Sequence, residues 1–223
     1  MPITATIETW NQAEGTSIFL GYKATSNSPM QREMVVFTGN ANNGQPITDW
    51  SGYYVAPELD IAQGYLTDVV QDTNGSGTAY VNAVYIDFSQ GDNGIIPNGI
   101  IRMEGAELSD GSITEDVKAQ LVRMALSVIG INLPENEPLI QSLGNAGYLY
   151  QGPLYEEVTE IIVPLSLIEA GVISVVNYQT YTYRAYNQTN EVTNSIFSTA
   201  PNLNPIPPLS LDPDINNGSH DEL

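Results

Sequence analysis

Two stretches of this chain alternate with a period of two, and that period limits the fold before anything else does. Between residues 80 and 88, Tyr80, Asn82, Val84, Ile86 and Phe88 fall on one side and Val81, Ala83, Tyr85 and Asp87 on the other. This pattern predicts a central strand. A longer alternating run, Val172–Tyr186, carries Tyr178 and the pair Tyr181 and Tyr183. Ser17–Tyr22, Tyr148–Tyr150 and Val158–Leu167 read as further strands, the last two joined by a turn at Gly152-Pro153. Ile100–Met103 is a shorter candidate, and Ile3–Ile7 reads as a strand or a tether. Against these stands one clear helix. Ser112-Ile-Thr-Glu115 is a capping-box pattern. Behind it, Val117, Leu121, Met124, Ala125 and Val128 form an apolar stripe, ended by Gly130. The stripe predicts a helix packed on that face. Gly39–Asp49 and Asn132–Asn145 read as loops, the second containing Pro134 and Pro138. Many strands, two or three helices and no βαβ repeat predict an α+β fold with antiparallel sheets.

Composition removes several function classes. The 223 residues carry a formal net charge of −20 with only six basic side chains. Nucleic acid and anionic membranes both require basic patches, so neither is an expected partner. There is no cysteine, hence no thiol nucleophile or thiolate metal site. One histidine, His220, excludes a multi-histidine zinc site and a histidine-based triad. No run approaches the ~18 apolar residues of a membrane helix, so no membrane insertion is expected. The first residues, Met-Pro-Ile-Thr-Ala-Thr, show neither a basic n-region nor an apolar h-region. That fits synthesis without a signal peptide, or a fragment of a longer precursor.

The stretch Trp50–Tyr65 reads as a short strand running into a helix. Tyr53, Tyr54 and Val55 favour a strand. Pro57 suits a first helical position, with Glu58 and Asp60 in the first turn, and Leu59, Ala62 and Leu66 follow at helical spacing. Tyr54 and Tyr65 then face one another if strand and helix fold together. A gap between two phenol rings suits a flat ring, since offset stacking contributes about 0.5–1.5 kcal/mol beyond area burial. The residues alone equally fit two ordinary core tyrosines.

Gly52-Tyr-Tyr-Val-Ala, ten residues between Tyr54 and Tyr65, and Gly64-Tyr65 together resemble the NAD-site tyrosine motif of the exotoxin A, cholix and diphtheria-toxin group of mono-ADP-ribosyltransferases. Phe19-Leu-Gly-Tyr-Lys-Ala-Thr25 resembles that group's Val-Gly-Tyr-His-Gly-Thr strand, and Trp50 falls where exotoxin A has a tryptophan lining the cleft. A weaker similarity runs through Ile129-Gly130 to Val163-Pro164, so the resemblance covers most of residues 17–175. It implies split antiparallel β-sheets around an NAD cleft with flanking helices, and transfer of ADP-ribose from NAD to a host protein. The group's own target is diphthamide on elongation factor 2.

The residues implied for the NAD site are Tyr54 and Tyr65 as walls, Trp50 at the edge, and Gly21, Tyr22, Lys23 and Thr25 on the polar strand. Lys23 replaces the group's histidine. Lysine pairs with a phosphate as a point charge but cannot accept a hydrogen bond as neutral imidazole does; related transferases carry arginine there. The catalytic glutamate departs further, because counting back from Val163-Pro164 reaches Tyr148 or Leu149. The nearest acids are Glu156, Glu157 and Glu160. Glu160-Ile-Ile-Val-Pro164 is similar to the Glu-Val-Leu-Leu-Pro strand start of the Arg-Ser-Glu transferases, which makes Glu160 the first candidate and Glu157 the second. All three also fit solvent-exposed acids in an acidic chain. NAD enters as substrate, and no metal is expected.

From Ser198 the composition turns to Pro, Asn, Asp and Ser, too polar to offset its ordering entropy. The expected organisation is therefore a domain over residues 1–197 and a disordered tail over 198–223. The tail ends His220-Asp-Glu-Leu223, a tetrapeptide read by the endoplasmic-reticulum retrieval receptor. Toxins of this group end in similar signals, which implies a secreted or delivered protein routed through that compartment to the host cytosol. The chain has two lysines, Lys23 and Lys118, and the resemblance implies that this scarcity limits ubiquitination on the way. Two alternatives stand beside the transferase. One is a degenerate member that binds NAD or a host protein without catalysis. The other is a lumenal binding protein retained by the tetrapeptide.

Overall fold

The computed structural model describes residues 3–10, 17–25, 48–66, 77–88, 97–155, 158–186 and 193–198. The expected loop at 39–47, the turn at 72–76, Glu156, Glu157 and the tail from 199 lie outside the described residues.

The fold is mixed α+β, with two mostly antiparallel sheets and a few short helices. The first sheet has the order β1-β5-β6-β7-β3 and the second β2-β4-β8-β9. Their strands are β1 Thr4–Thr9, β2 Ser17–Thr25, β3 Tyr53–Val55, β4 Gly77–Asp87, β5 Gly99–Glu104, β6 Tyr148–Tyr155, β7 Val158–Val163, β8 Ile173–Tyr186 and β9 Thr193–Ser198. The two alternating runs are β4 and β8, which pair antiparallel along most of their length. β4 is central, as its pattern requires, and its two faces bury different things. Val84, Ile86 and Phe88 join Leu20, Tyr53, Val55, Ile161 and Val163 in the layer between the sheets. Ala79 and Val81, on the other face, pack under Ala62 and Leu66. Helix α1, Leu59–Gly64, covers this second face.

The outer face of the first sheet is closed by helices α2 Ala106–Ser109, α3 Glu115–Val128 and α4 Leu139–Asn145. Their buried side chains join Ile101, Met103, Tyr150 and Ile162 in a second core. α2, α3 and α4 lie between β5 and β6, which pair in parallel, so one crossover interrupts the antiparallel order expected throughout.

Four local expectations are corrected. The cap of α3 is Thr114, whose hydroxyl accepts from the Val117 N–H, while Ser112 turns to Asp110 instead. The buried face of α3 is Lys118, Ala119, Val122 and Leu126. In the expected stripe Met124 is 66% and Val128 86% exposed. Both faces of this helix carry enough apolar residues to read as core, and the face with Ala119, Val122 and Leu126 joins the helix-side core. The 132–145 segment contains α4, with Leu139, Ile140 and Leu143 fully buried. Its first two amides donate to the side chain and carbonyl of Asp49, 90 residues earlier. Finally, β6 runs through Gly152-Pro153 with no turn there; the ladder to β7 shifts register between Pro153 and Tyr155, and β7 stops at Val163, before Pro164 and helix α5 Leu165–Glu169.

The orientation of α3 is directly testable. Leu126→Ala removes a fully buried side chain and is expected to cost about 2–5 kcal/mol. Val128→Lys lies on the exposed face and is expected to stay within about 0.5 kcal/mol of the parent. Urea denaturation of the two variants separates the orientations, because the stripe-inward arrangement reverses the order.

Candidate functional site

The site is assembled where the two sheets meet. In β2 the register to β4 shifts between Phe19 and Gly21. Gly21 has φ +154 and lies with its Cα against the carbonyl of Ala56, a place where a side chain would collide with backbone. This close approach lets Tyr22 and Ala56 exchange two backbone hydrogen bonds, N–H to O at 2.7 and 2.8 Å. β2 of one sheet is thereby stitched to the residue that follows β3 of the other.

The stitch sets the orientation of the polar strand. Tyr22 and Lys23 point to opposite faces, as neighbours in a strand do. The Tyr22 ring packs edge-on against Phe19 and Tyr178. Burial pushes its phenol up, with Tyr178 and Tyr85 adding to the effect. Lys23 reaches towards β3, where its ammonium stands 5.3 Å from the centroid of the Tyr53 ring. That is within range of a cation–π attraction. Thr25 accepts a hydrogen bond from Asn82 at 2.9 Å.

Past Ala56 the chain enters α1. The helix is fastened to β8 by Gln63, whose amide donates to Gln179 and to the Tyr181 hydroxyl, both at 3.0 Å. Tyr65 is the C-cap residue of this helix, one position past its last turn, and is 41% exposed. Its hydroxyl donates to Glu160 Oε1 at 2.9 Å, across 95 residues of sequence. Glu160 lies in β7, directly opposite Gly152 of β6.

Charge is held here against solvation. Burial pushes the Glu160 carboxyl up, and the Tyr65 hydroxyl and the Lys23 ammonium pull it partly back. Burial pushes Lys23 down to about 8, and Glu160 offsets part of that shift. Each charge supports the other, and in both groups desolvation still dominates. Tyr53 and Tyr150, whose phenols burial pushes well above their usual range, line the neighbourhood.

The structure thus brings together Lys23, Tyr65 and Glu160 and places Gly21 and Tyr22 in the joint behind them. Tyr54 shares a face with Glu160, since it pairs with Ile162 two residues along β7; its hydroxyl donates to the Trp50 carbonyl at 2.7 Å. Trp50 itself is not at a cleft edge. It is 3% exposed, edge-on to Tyr150 at 5.4 Å, with its indole N–H donated to the Glu115 carbonyl at 3.0 Å. The turn before β3 directs it into the helix-side core. Glu157 lies outside the described residues. Tyr53, Tyr150 and Gly152 were not expected near the site. Tyr53 is adjacent to Tyr54, and Tyr150 falls beside the position where counting back seeks an acid. Those are the only traces of them in the sequence.

A groove of about 710 Å³ beside α3 is lined by Asp49, Asp116, Arg123, Met124 and Glu135 among others. Arg123 serves as a clasp there, donating to Asp49 and to the carbonyls of Pro134 and Glu137.

Chemically, the Lys23–Tyr65–Glu160 arrangement offers a half-buried carboxylate that can stabilise a developing cation or accept a proton. It also offers an exposed aromatic face for stacking and an ammonium for an anionic group. No family model matches the chain, and no curated protein matches it.

The pKa shifts predict opposite pH windows. From about 8 to the ordinary 10.5 the unfolded chain binds a proton at Lys23 that the native chain does not. Lys23 therefore makes the native state more stable as pH rises through that window. Glu160 is raised above its ordinary 4.5, so the native state binds the extra proton there and stability falls as pH rises through its shift. Urea midpoints should show wild type gaining on Lys23→Met between pH 8 and 10.5. They should also show Glu160→Gln gaining on wild type as pH rises above 4.5. Parallel profiles in either comparison would remove the desolvation argument.

Proposed function

We propose that this chain is a toxin mono-ADP-ribosyltransferase that transfers ADP-ribose from NAD to a host protein, with Glu160 as its catalytic carboxylate. The observation that carries the reading is the 2.9 Å contact between the Tyr65 hydroxyl and Glu160. Two separate resemblances, to a tyrosine motif and to a glutamate-headed strand, proposed these residues for one reaction. They meet across 95 residues of sequence. Two mostly antiparallel sheets bridged at Tyr22 and Ala56 are compatible with the split-sheet arrangement of such enzymes.

In this reading the nicotinamide ring stacks on the exposed Tyr65 face, with Tyr54, tied to the Trp50 carbonyl, as the fixed wall. Lys23 faces a phosphate as a point charge. Breaking the bond between nicotinamide and ribose develops oxocarbenium character. Glu160, held short of full solvation, stabilises that charge, and such fixed electrostatics is usually the largest catalytic contribution. The acceptor is a host protein, with elongation factor 2 the first to test. The His220–Leu223 tetrapeptide would engage the retrieval receptor and route the protein to the host cytosol.

Incubation of the purified chain with labelled NAD and a eukaryotic lysate tests the proposal. Label should move to a protein. Glu160→Gln should lower transfer by about 10²-fold or more while NAD binding survives, because the carboxylate acts mainly in the transition state. Tyr65→Ala should weaken NAD binding by about 1–3 kcal/mol with the fold intact. NAD binding without any transfer would replace this reading with a non-catalytic binder. Absence of both would remove the transferase reading.

A further inference from the structure

Glu160 has a neighbour that neither motif indicates. In the antiparallel pair β6–β7, Gly152 stands opposite Glu160 and Tyr150 opposite Ile162. Residues directly opposite in such a pair share a face, and so do residues two apart in one strand. Tyr150, Gly152, Ile162 and Glu160 therefore line one face, and the first and third pack in the same helix-side core. Position 152 would normally place a side chain beside that of Glu160. Here the space is already taken. A Cβ on Gly152 would lie 2.7 Å from the Tyr150 hydroxyl oxygen and 3.0 Å from Met103 Cβ. The Tyr150 phenol thus fills the lateral slot next to the Glu160 side chain, and glycine at 152 keeps that slot open.

The hydroxyl in this slot is buried and has no hydrogen-bond partner among the described residues. A buried polar group left in that state is destabilising, and phenylalanine would fill the same core without the penalty. The ring is not free to turn the hydroxyl elsewhere, because Trp50 packs edge-on against it and is itself anchored through its indole N–H. Burial, with the Glu160 charge adding to it, keeps the phenol protonated, so it remains a donor.

We propose that Tyr150 is a positioning residue whose hydroxyl donates to the Glu160 carboxylate, opposite the donor already supplied by Tyr65. Forming the bond requires the carboxyl group to move from the conformation it holds against Tyr65, and no proton is transferred. The groups facing Glu160 are then Tyr65 from the end of α1, Lys23 from β2 and Tyr150 from β6. The first lies at the solvent edge and is available to a ligand. The last is locked in the core and would hold the carboxylate when Tyr65 is engaged in stacking. The inference rests on Glu160 being the reacting carboxylate, but its test does not require turnover.

The test is a carbon-13 titration of the glutamate carboxyls in the full chain, with the Glu160 signal assigned by its loss in Glu160→Gln. Tyr150→Phe should raise the Glu160 midpoint by about half a pH unit or more, roughly a threefold change in proton affinity, because a donor to the charged form is lost. Its melting temperature should not fall, since the ring and its packing remain. Gly152→Ala, which displaces the hydroxyl, should raise the midpoint in the same direction. In the transfer assay Tyr150→Phe should lower kcat with little change in KM for NAD. An unchanged Glu160 midpoint in Tyr150→Phe, alongside a shifted one in Tyr65→Phe, would overturn the proposal. Absence of transfer by the wild type would remove the enzyme reading and leave the titration result standing.

Discussion

The exchange of two backbone hydrogen bonds between Tyr22 and Ala56 is the interaction on which the rest of the site depends. It bridges the two sheets through the backbone. It needs a residue without a side chain at position 21, where the backbone has positive φ and rests on the Ala56 carbonyl. Everything nearby follows from that joint. Lys23 is carried to the Tyr53 ring because β2 is pinned beside the end of β3. α1 starts from the pinned residue, so its C-cap tyrosine emerges over the start of β7, within reach of Glu160. A side chain at position 21 would push the sheets apart and separate three residues it does not touch.

The electrostatics of the site are unusual for a chain with net charge −20. Acids are plentiful, many of those among the described residues are exposed, and cations are rare. Among the described residues the arginines at 102 and 123 are spent on ion pairs with Glu8 and Asp49. One of the two lysines, Lys118, is buried in α3. The other is set close enough to a half-buried carboxylate for each to shift the other's proton affinity. Surface acids at this density would screen a lone exposed lysine. Partial burial of Lys23 and Glu160 removes that screening and lets a single pair dominate its surroundings.

Long strands were legible in the sequence because their period survives whatever packs on them. β4 and β8 appear close to where alternation places them, and the strand-to-helix stretch ending at Tyr65 keeps its order. What escaped depends on partners far away in the chain. α4 is capped by Asp49 rather than by a residue next to it, so Pro134 and Pro138 dominated the local reading. The buried face of α3 is ambiguous in the sequence because both faces carry apolar residues, and only tertiary packing in the helix-side core selects Ala119, Val122 and Leu126. Gly152-Pro153 looks like a turn. It stays extended because the glycine makes room for a phenol and the ladder shifts register just after the proline. The motif places Trp50 by position alone, and its burial against Tyr150 is a tertiary fact with no local signature.

The same division separates the site from the scaffold. In the core, local preference and packing mostly agree: β4, β7 and α4 fully bury Val84, Ile86, Ile162, Leu139 and Leu143, beside the polar Asn82 and Ser142. Around Glu160 they conflict. A carboxyl and an ammonium are kept from full solvation, a buried hydroxyl has no hydrogen-bond partner among the described residues, and a strand interior carries glycine. Each choice is unfavourable alone; among the described residues, buried polar atoms without partners also occur at Asn82, Glu107, Ser166 and Asn177. What sets the surroundings of Glu160 apart is that a carboxyl, an ammonium and a phenol held from solvent lie together there, which supports the proposed role of this carboxylate. It also explains why replacing Glu160 or Tyr150 by a shape-matched neutral residue should leave the fold standing: the groups removed are ones that folding itself does not favour.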